Sequence, residues 1–145
     1  MKYILLACVT IAIVCCEPPV YIEELEALVQ KKGDKSRLRN LIEDEYMIRS
    51  EKQIRLNAIL SLQSKEIQIE YKATVKAEKL KKRRQLVGQQ ARAAKYGYSS
   101  LLSKILAIDS DMSISDSEAS KREDALVEVL TSSSVCALII FDGTT

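Results

Sequence analysis

The sequence predicts an all-α fold, a helical bundle with one long central helix behind a cleaved signal peptide. Three observations predict it. Only two Pro and four Gly occur in 145 residues, while Ala, Leu, Ile, Lys and Glu, which favour helices, are frequent. Apolar residues recur at three- and four-residue steps. Cysteine is too scarce after the signal for a disulfide scaffold, so the fold must rest on packing. The length argues for one domain, residues 17–145. No internal repeat is evident.

The chain opens with Lys2 and an apolar run from Tyr3 to Val14, closed by Glu17 and Pro18-Pro19. The run is shorter than the ~20 residues a membrane span needs. It reads as a secretory signal over residues 1–16, cut after Cys16. The runner-up is a bacterial lipoprotein with Cys16 as the lipid site, for which Cys15 is a poor neighbour. The mature chain is then extracellular, has no transmembrane segment and keeps Cys136 as its one thiol. In the apolar "SVCALIIF" this cysteine is a buried small hydrophobe or a disulfide to a second chain, making a homodimer.

A first helix is expected from Val20 to Lys32, with Ile22, Leu25, Leu28 and Val29 as its stripe and Gly33 after its end. A second starts near Asp34 as N-cap and carries Leu38, Leu41, Ile42 and Tyr46. Ser50 and Gln53 spell a capping box for a third. No strong breaker stands between Glu51 and Val87, so that helix would be ~55 Å long at 1.5 Å per residue. The alternation Ile67, Ile69, Tyr71, Ala73, Val75 also fits a strand, but no partner strand is evident. Gly88 is the expected break. A fourth helix follows from Gln89 to Ile108, with Ala91, Ala94, Tyr98, Leu102 and Ile105 as one stripe through Gly97. A short helix, Ser134 to Phe141, is expected to pack onto the bundle or, if exposed, to offer a dimer or lipid surface.

The stretch "IDSDMSISDSEAS" at 108–120 raises the question of calcium. A calcium loop numbered from Asp109 would put Asp109 and Asp111 at positions 1 and 3. Ile114 would fall where Gly is required, and Ser120 where a bidentate Glu is required. High-affinity calcium is therefore disfavoured, and weak Mg²⁺ or Ca²⁺ binding at Asp109 and Asp111 stays open. A capping reading accounts for more residues: Ser115 and Glu118 make a box, Asp116 and Glu118 complement the helix N-terminus, and Ile114 is the staple. The helix it opens carries Ala119, Leu126, Val127 and Leu130.

Leu102, Ile105, Asp109, Met112, Ser113 and Ala119 resemble the C-terminal signature of the SXP/RAL family of nematode secreted antigens. That signature is an apolar helix ending Leu-x-x-Ile, an Asp-containing turn, Met or Leu before Ser or Thr, then an Ala-containing helix. The likeness is specific over residues 101–130. It implies a compact all-α bundle, excretion or surface association, and recognition by host antibodies at a host–parasite interface. Divalent-metal binding is discussed for some members.

With no His, the chain lacks His-based catalytic triads, His-ligated zinc and the commonest general base. One mature Cys builds no zinc site. Glu43-Asp44-Glu45 reads as solvated charge. The expectation is a non-enzyme that acts by binding. Between Lys72 and Lys95 stand nine Lys or Arg and one acid, Glu78, whereas from Tyr96 onward eight acids face three basic residues. Within the basic stretch, Lys79, Lys81, Lys82, Arg83 and Arg84 read as a solvated helix face, as an anion-binding surface, or as a convertase site that cuts after Arg84 in a peptide precursor. Aromatic residues for base stacking are missing there, which disfavours sequence-specific nucleic acid. The partner is then a host macromolecule or an anionic or small apolar ligand.

Overall fold

The computed structural model describes the backbone of residues 19–141 and the side chains of residues 19–128. Residues 1–16, where the signal is expected, lie outside the described residues. The described backbone is helical: α1 Ile22–Leu28, α2 Lys32–Glu43, α3 Arg49–Ser61, α4 Lys65–Tyr96, α5 Ser99–Asp109 and α6 Asp116–Phe141. This is the all-α class, with several boundaries moved.

In α1 the expected stripe is the buried one. Ile22, Leu25 and Val29 sit in a first core with Leu38 and Leu41 of α2, Leu56 and Ile59 of α3, and Tyr71 of α4. Burying one such aliphatic side chain is worth about 1.5–3 kcal/mol. The α1 helix ends sooner than expected, because Val29 turns extended, and Gly33 falls inside the first turn of α2. Asp34 does not cap α2. It is buried in that first turn and accepts a hydrogen bond from Gln63 Nε2 at 3.1 Å. Tyr46 leaves the stripe altogether and is 79% exposed.

The long helix expected over 51–87 is two helices. The α3 helix stops at Ser61, and Ser64 restarts the chain as α4 by accepting from the Ile67 N–H. A serine cap within "LQSK" thus supplies the break that no Gly or Pro announces. The alternating segment from Ile67 to Val75 is helical. Its Tyr71 is buried and donates its hydroxyl to the Tyr21 carbonyl at 3.1 Å, which fastens α4 across α1. Burial, followed by the charges of Glu24 and Tyr21, pushes this phenol up to about 12 and keeps it a donor.

Gly88 does not break α4. An interior Gly costs a helix only about 0.5–1 kcal/mol relative to Ala, and neighbouring turns absorb that. The helix ends at Gly97, whose φ of 80° is left-handed, while the Tyr98 N–H reaches the Ala93 carbonyl at 2.8 Å. This is the glycine C-terminal motif in which a positive φ satisfies otherwise orphaned carbonyls. The expected stripe through Gly97 therefore splits. Ala91 and Ala94 are exposed, while Gln89 and Ala93 face inward. Ala93, Leu102 and Ile105 form a second core, with Leu126 of α6 packed on it.

The two cores are joined by α4 and by a junction between two loops. Ile48 and Ser115 form an isolated antiparallel bridge. Ser50 N–H donates to the Met112 carbonyl at 2.9 Å, and Ser117 N–H donates to the Glu45 carbonyl at 3.0 Å. Ser117 stands 67 residues after Ser50, and Met112 stands 67 residues after Glu45. The same offset relates Asp44 to Asp111, each accepting backbone N–H bonds two or three residues on. It also relates the exposed ion pair Glu51–Arg55 to Glu118–Arg122. The chain therefore contains a helix–loop–helix unit twice, α2–α3 and α5–α6, docked loop to loop. Both copies read Asp-x-x-apolar-x-x-Ser-Glu-x-x-x-Arg, a repeat too sparse to register in the sequence reading.

Candidate anion-binding face and ionic junction

The junction sets Arg49, the first residue of α3, beside Asp116, the first residue of α6. Arg49 Nε donates to Asp116 Oδ1 at 2.7 Å, and Lys52 Nζ donates to Asp116 Oδ2 at 2.7 Å. Arg49 is 5% exposed and Lys52 2%. Arg49 Nη1 also donates to the carbonyls of Ile108, Asp109 and Asp111 at 3.0, 3.3 and 3.4 Å. These carbonyls close α5, so a buried cation sits where the helix dipole is negative. Burial pushes the Asp116 carboxyl up, but the hydrogen bonds from Lys52 and Arg49 outweigh it and hold the group below the usual range.

Asp109 and Asp111 have parted company. Asp111 Oδ1 accepts from the Ser113 N–H at 2.9 Å and from its hydroxyl at 2.6 Å, and these bonds lower its pKa. Asp109 is buried at the end of α5 and hydrogen-bonds Glu123 of α6. Burial first, then the Glu123 charge, pushes Asp109 up to about 6, while Lys82 and Arg49 pull the other way. Its Oδ2 has no hydrogen-bond partner. The loop carbonyls around Asp109 already hold the Arg49 guanidinium, and among the described residues no three acids or cysteines gather to hold a metal.

The cluster thus sets three cations, Arg49, Lys52 and Lys82, among three carboxyls, Asp109, Asp116 and Glu123. The sequence singles out Asp109, Lys82 and Asp116, as metal, anion-surface and helix-end residues, but not Arg49, Lys52 or Glu123, because nothing local marks Arg49 or Lys52 as interior. Ser115 does cap α6, accepting from the Glu118 N–H at 3.2 Å, but Glu118 then turns to Arg122. Ser50 and Gln53 make no box. Ser50 serves the inter-loop bond, and Gln53 bonds Asn57.

The five basic residues singled out in α4 do not share one face. Lys82 is half-buried, and its charge acts on Asp109. Lys79 stands over the Tyr21 ring at 5.6 Å, and Lys81 pairs with Glu78 at 3.3 Å. Arg83 and Arg84 are exposed, as are Lys72 and Lys76. The one acid of the stretch, Glu78, is neutralised within its own helix turn. From Lys72 to Arg84 the outward surface is cationic, and the exposed acids Glu66 and Glu70 precede it in the same helix.

Cys136 lies on the α6 backbone, and its side chain is outside the described residues. No helix of the described residues is long and apolar enough to cross a membrane. No family model, no curated protein and no solved structure matches the chain.

Proposed function

We propose that the chain is a secreted, non-enzymatic, SXP/RAL-like antigen that acts at a host–parasite interface by binding an anionic partner on the outward face of α4. The observation that carries this reading is the run Lys72, Lys76, Arg83 and Arg84, exposed on one helix, with Glu78, the one acid from Lys72 to Lys95, already paired. A one-sign surface of this kind concentrates counter-ions and steers anionic partners. Secretion rests on the apolar run over residues 3–14, and family kinship on the residues of 101–130. Retention on a heparin column tests the binding. The wild-type protein should elute at raised salt, and Lys76→Glu with Arg83→Glu and Arg84→Glu should elute early. Equal elution of the two would sink the reading. Mass and N-terminal sequence of the protein recovered from natural secretions test the rest, with Glu17 as the expected first residue.

Cleavage after Arg84 is the second reading, and the exposure of Arg84 favours it. Its position inside α4 weighs against it, since proteases need an extended strand. Fragments beginning at Gln85 in the same mass spectrum would establish it. Weak Mg²⁺ or Ca²⁺ binding at Asp109 and Asp111 is the lesser reading. It predicts a rise in melting temperature with millimolar metal.

A further inference from the structure

We infer that the anionic partner of α4 is a membrane surface, which the helix meets lengthwise by placing an apolar stripe beside a row of cations. The inference rests on the anionic-partner reading and names the partner. At 3.6 residues per turn, Ile69, Leu80 and Val87 fall within about 20° of one another and span roughly 27 Å. They are 69%, 50% and 62% exposed. Lys72, Lys76 and Arg83 flank this line on one side and Arg84 on the other, all exposed; the acids Glu66 and Glu70, also exposed, lie on the Arg84 side at the Ile69 end, so the cations bracket Leu80 and Val87. Single apolar residues on a surface need no explanation. Three aligned beside a row of cations make the pattern of a helix that lies in the headgroup layer, with aliphatic side chains toward the acyl boundary and cations at the phosphates.

Charge chooses among the occupants. A second copy of the chain on this face would set Lys76, Arg83 and Arg84 near their own kind. A sulfated glycan would use the cations and leave Leu80 and Val87 in water. A nucleic acid would want aromatic platforms, and none occurs from Lys72 to Lys95. An anionic bilayer uses both the cations and the stripe.

The test is cosedimentation of the protein, recovered from the medium of expressing cells, with vesicles. One set mixes phosphatidylcholine and phosphatidylserine, and the other is phosphatidylcholine alone. The wild type should bind the mixed vesicles and leave the neutral ones largely free. Leu80→Ser with Val87→Ser should lower partition onto the mixed vesicles about tenfold and leave heparin retention unchanged. The Lys76, Arg83 and Arg84 charge reversal should lose both, with vesicle partition down at least about a hundredfold. All these positions are exposed, and circular dichroism checks that helix content is kept. Unchanged vesicle binding by the serine variant overturns the membrane assignment, as does a wild type held by heparin but not by vesicles. The anionic-partner reading survives either result. A wild type held by neither overturns both.

Discussion

The two helix–loop–helix units share a backbone plan and differ in what fills it. At the junction, Arg49 of the first unit and Asp116 of the second occupy equivalent positions, 67 residues apart, and bond each other at 2.7 Å. In the interior, Ile42 and Leu56 of the first unit correspond to Asp109 and Glu123 of the second. The first pair packs in an apolar core, with Leu56 fully buried. The second is a carboxyl pair whose buried Asp109 hydrogen-bonds Glu123. The repeat thus keeps its backbone geometry while reversing charge at the contact and polarity inside. If two copies of the first loop paired, Arg49 would face Arg49, and two copies of the second would set Asp116 against Asp116. The difference between the units makes each the partner of the other.

The most damaging way to break this relation is to remove Arg49. Arg49→Ala strands Asp116 with Lys52 alone and leaves the carbonyls of Ile108, Asp109 and Asp111 without their donor. Truncating one partner of a buried pair costs about 3–5 kcal/mol, which urea unfolding would read. In a double-mutant cycle with Asp116→Ala the two losses should be far from additive. Strict additivity would mean that the pair does not couple the units.

The carboxyl pair supplies the next effect. The folded pKa of Asp109, about 6, lies above its ordinary 3.8, so the folded state binds this proton more tightly than the unfolded state does. Its contribution is fully present below about pH 4 and is lost as pH rises through 6. Asp116 is shifted the other way, and its contribution is lost as pH falls below its ordinary value. Stability of the wild type should therefore peak in mild acid. Asp109→Asn removes the ionisable group, so it should stabilise the fold at pH 7 and flatten the slope between pH 4 and 6. Chemical unfolding at a series of pH values would show it, and an unchanged slope would assign the titration elsewhere.

Two paired substitutions ask how alike the units remain. Asp44→Ala and Asp111→Ala each delete the carboxylate that organises a loop turn. Each should cost about 1 kcal/mol, and similar losses would confirm equivalent turns. Smallest of all, Glu51→Gln and Glu118→Gln remove matching exposed helix pairs worth about 0.3–0.5 kcal/mol each. A larger loss at one of them would reveal an asymmetry beyond the junction.

Much of the fold could be read from residue spacing, because Leu25, Leu38, Leu41, Leu102 and Ile105 recur as a buried helical face must. The breaks were read less well. Gly88 drew attention because glycine weakens helices, yet only Gly97 takes the left-handed conformation that glycine alone adopts freely. Ser64 ended a helix by a side-chain bond that looks like any surface serine. For the candidate site, the excess of cations in α4 was plain in the sequence, but not their sorting into a half-buried Lys82 and an outward Arg83 and Arg84. Arg49 and Lys52 escape notice because a buried cation is recognised only by its partners, and theirs lie 59 or more residues along the chain.

Arg84 gives the junction one more meaning. A cut there would divide the chain into a piece holding Arg49, Lys52 and Lys82 and a piece holding Asp109, Asp116 and Glu123. The peptide bond would be gone, but each half would carry the ionic complement of the other, together with its own loop of the docked pair. The contacts that pair the halves, Arg49 and Lys52 on Asp116, do not run through the cut bond. After processing at Arg84, dilution, salt and acidity, which screen or neutralise these contacts, would decide when the halves come apart.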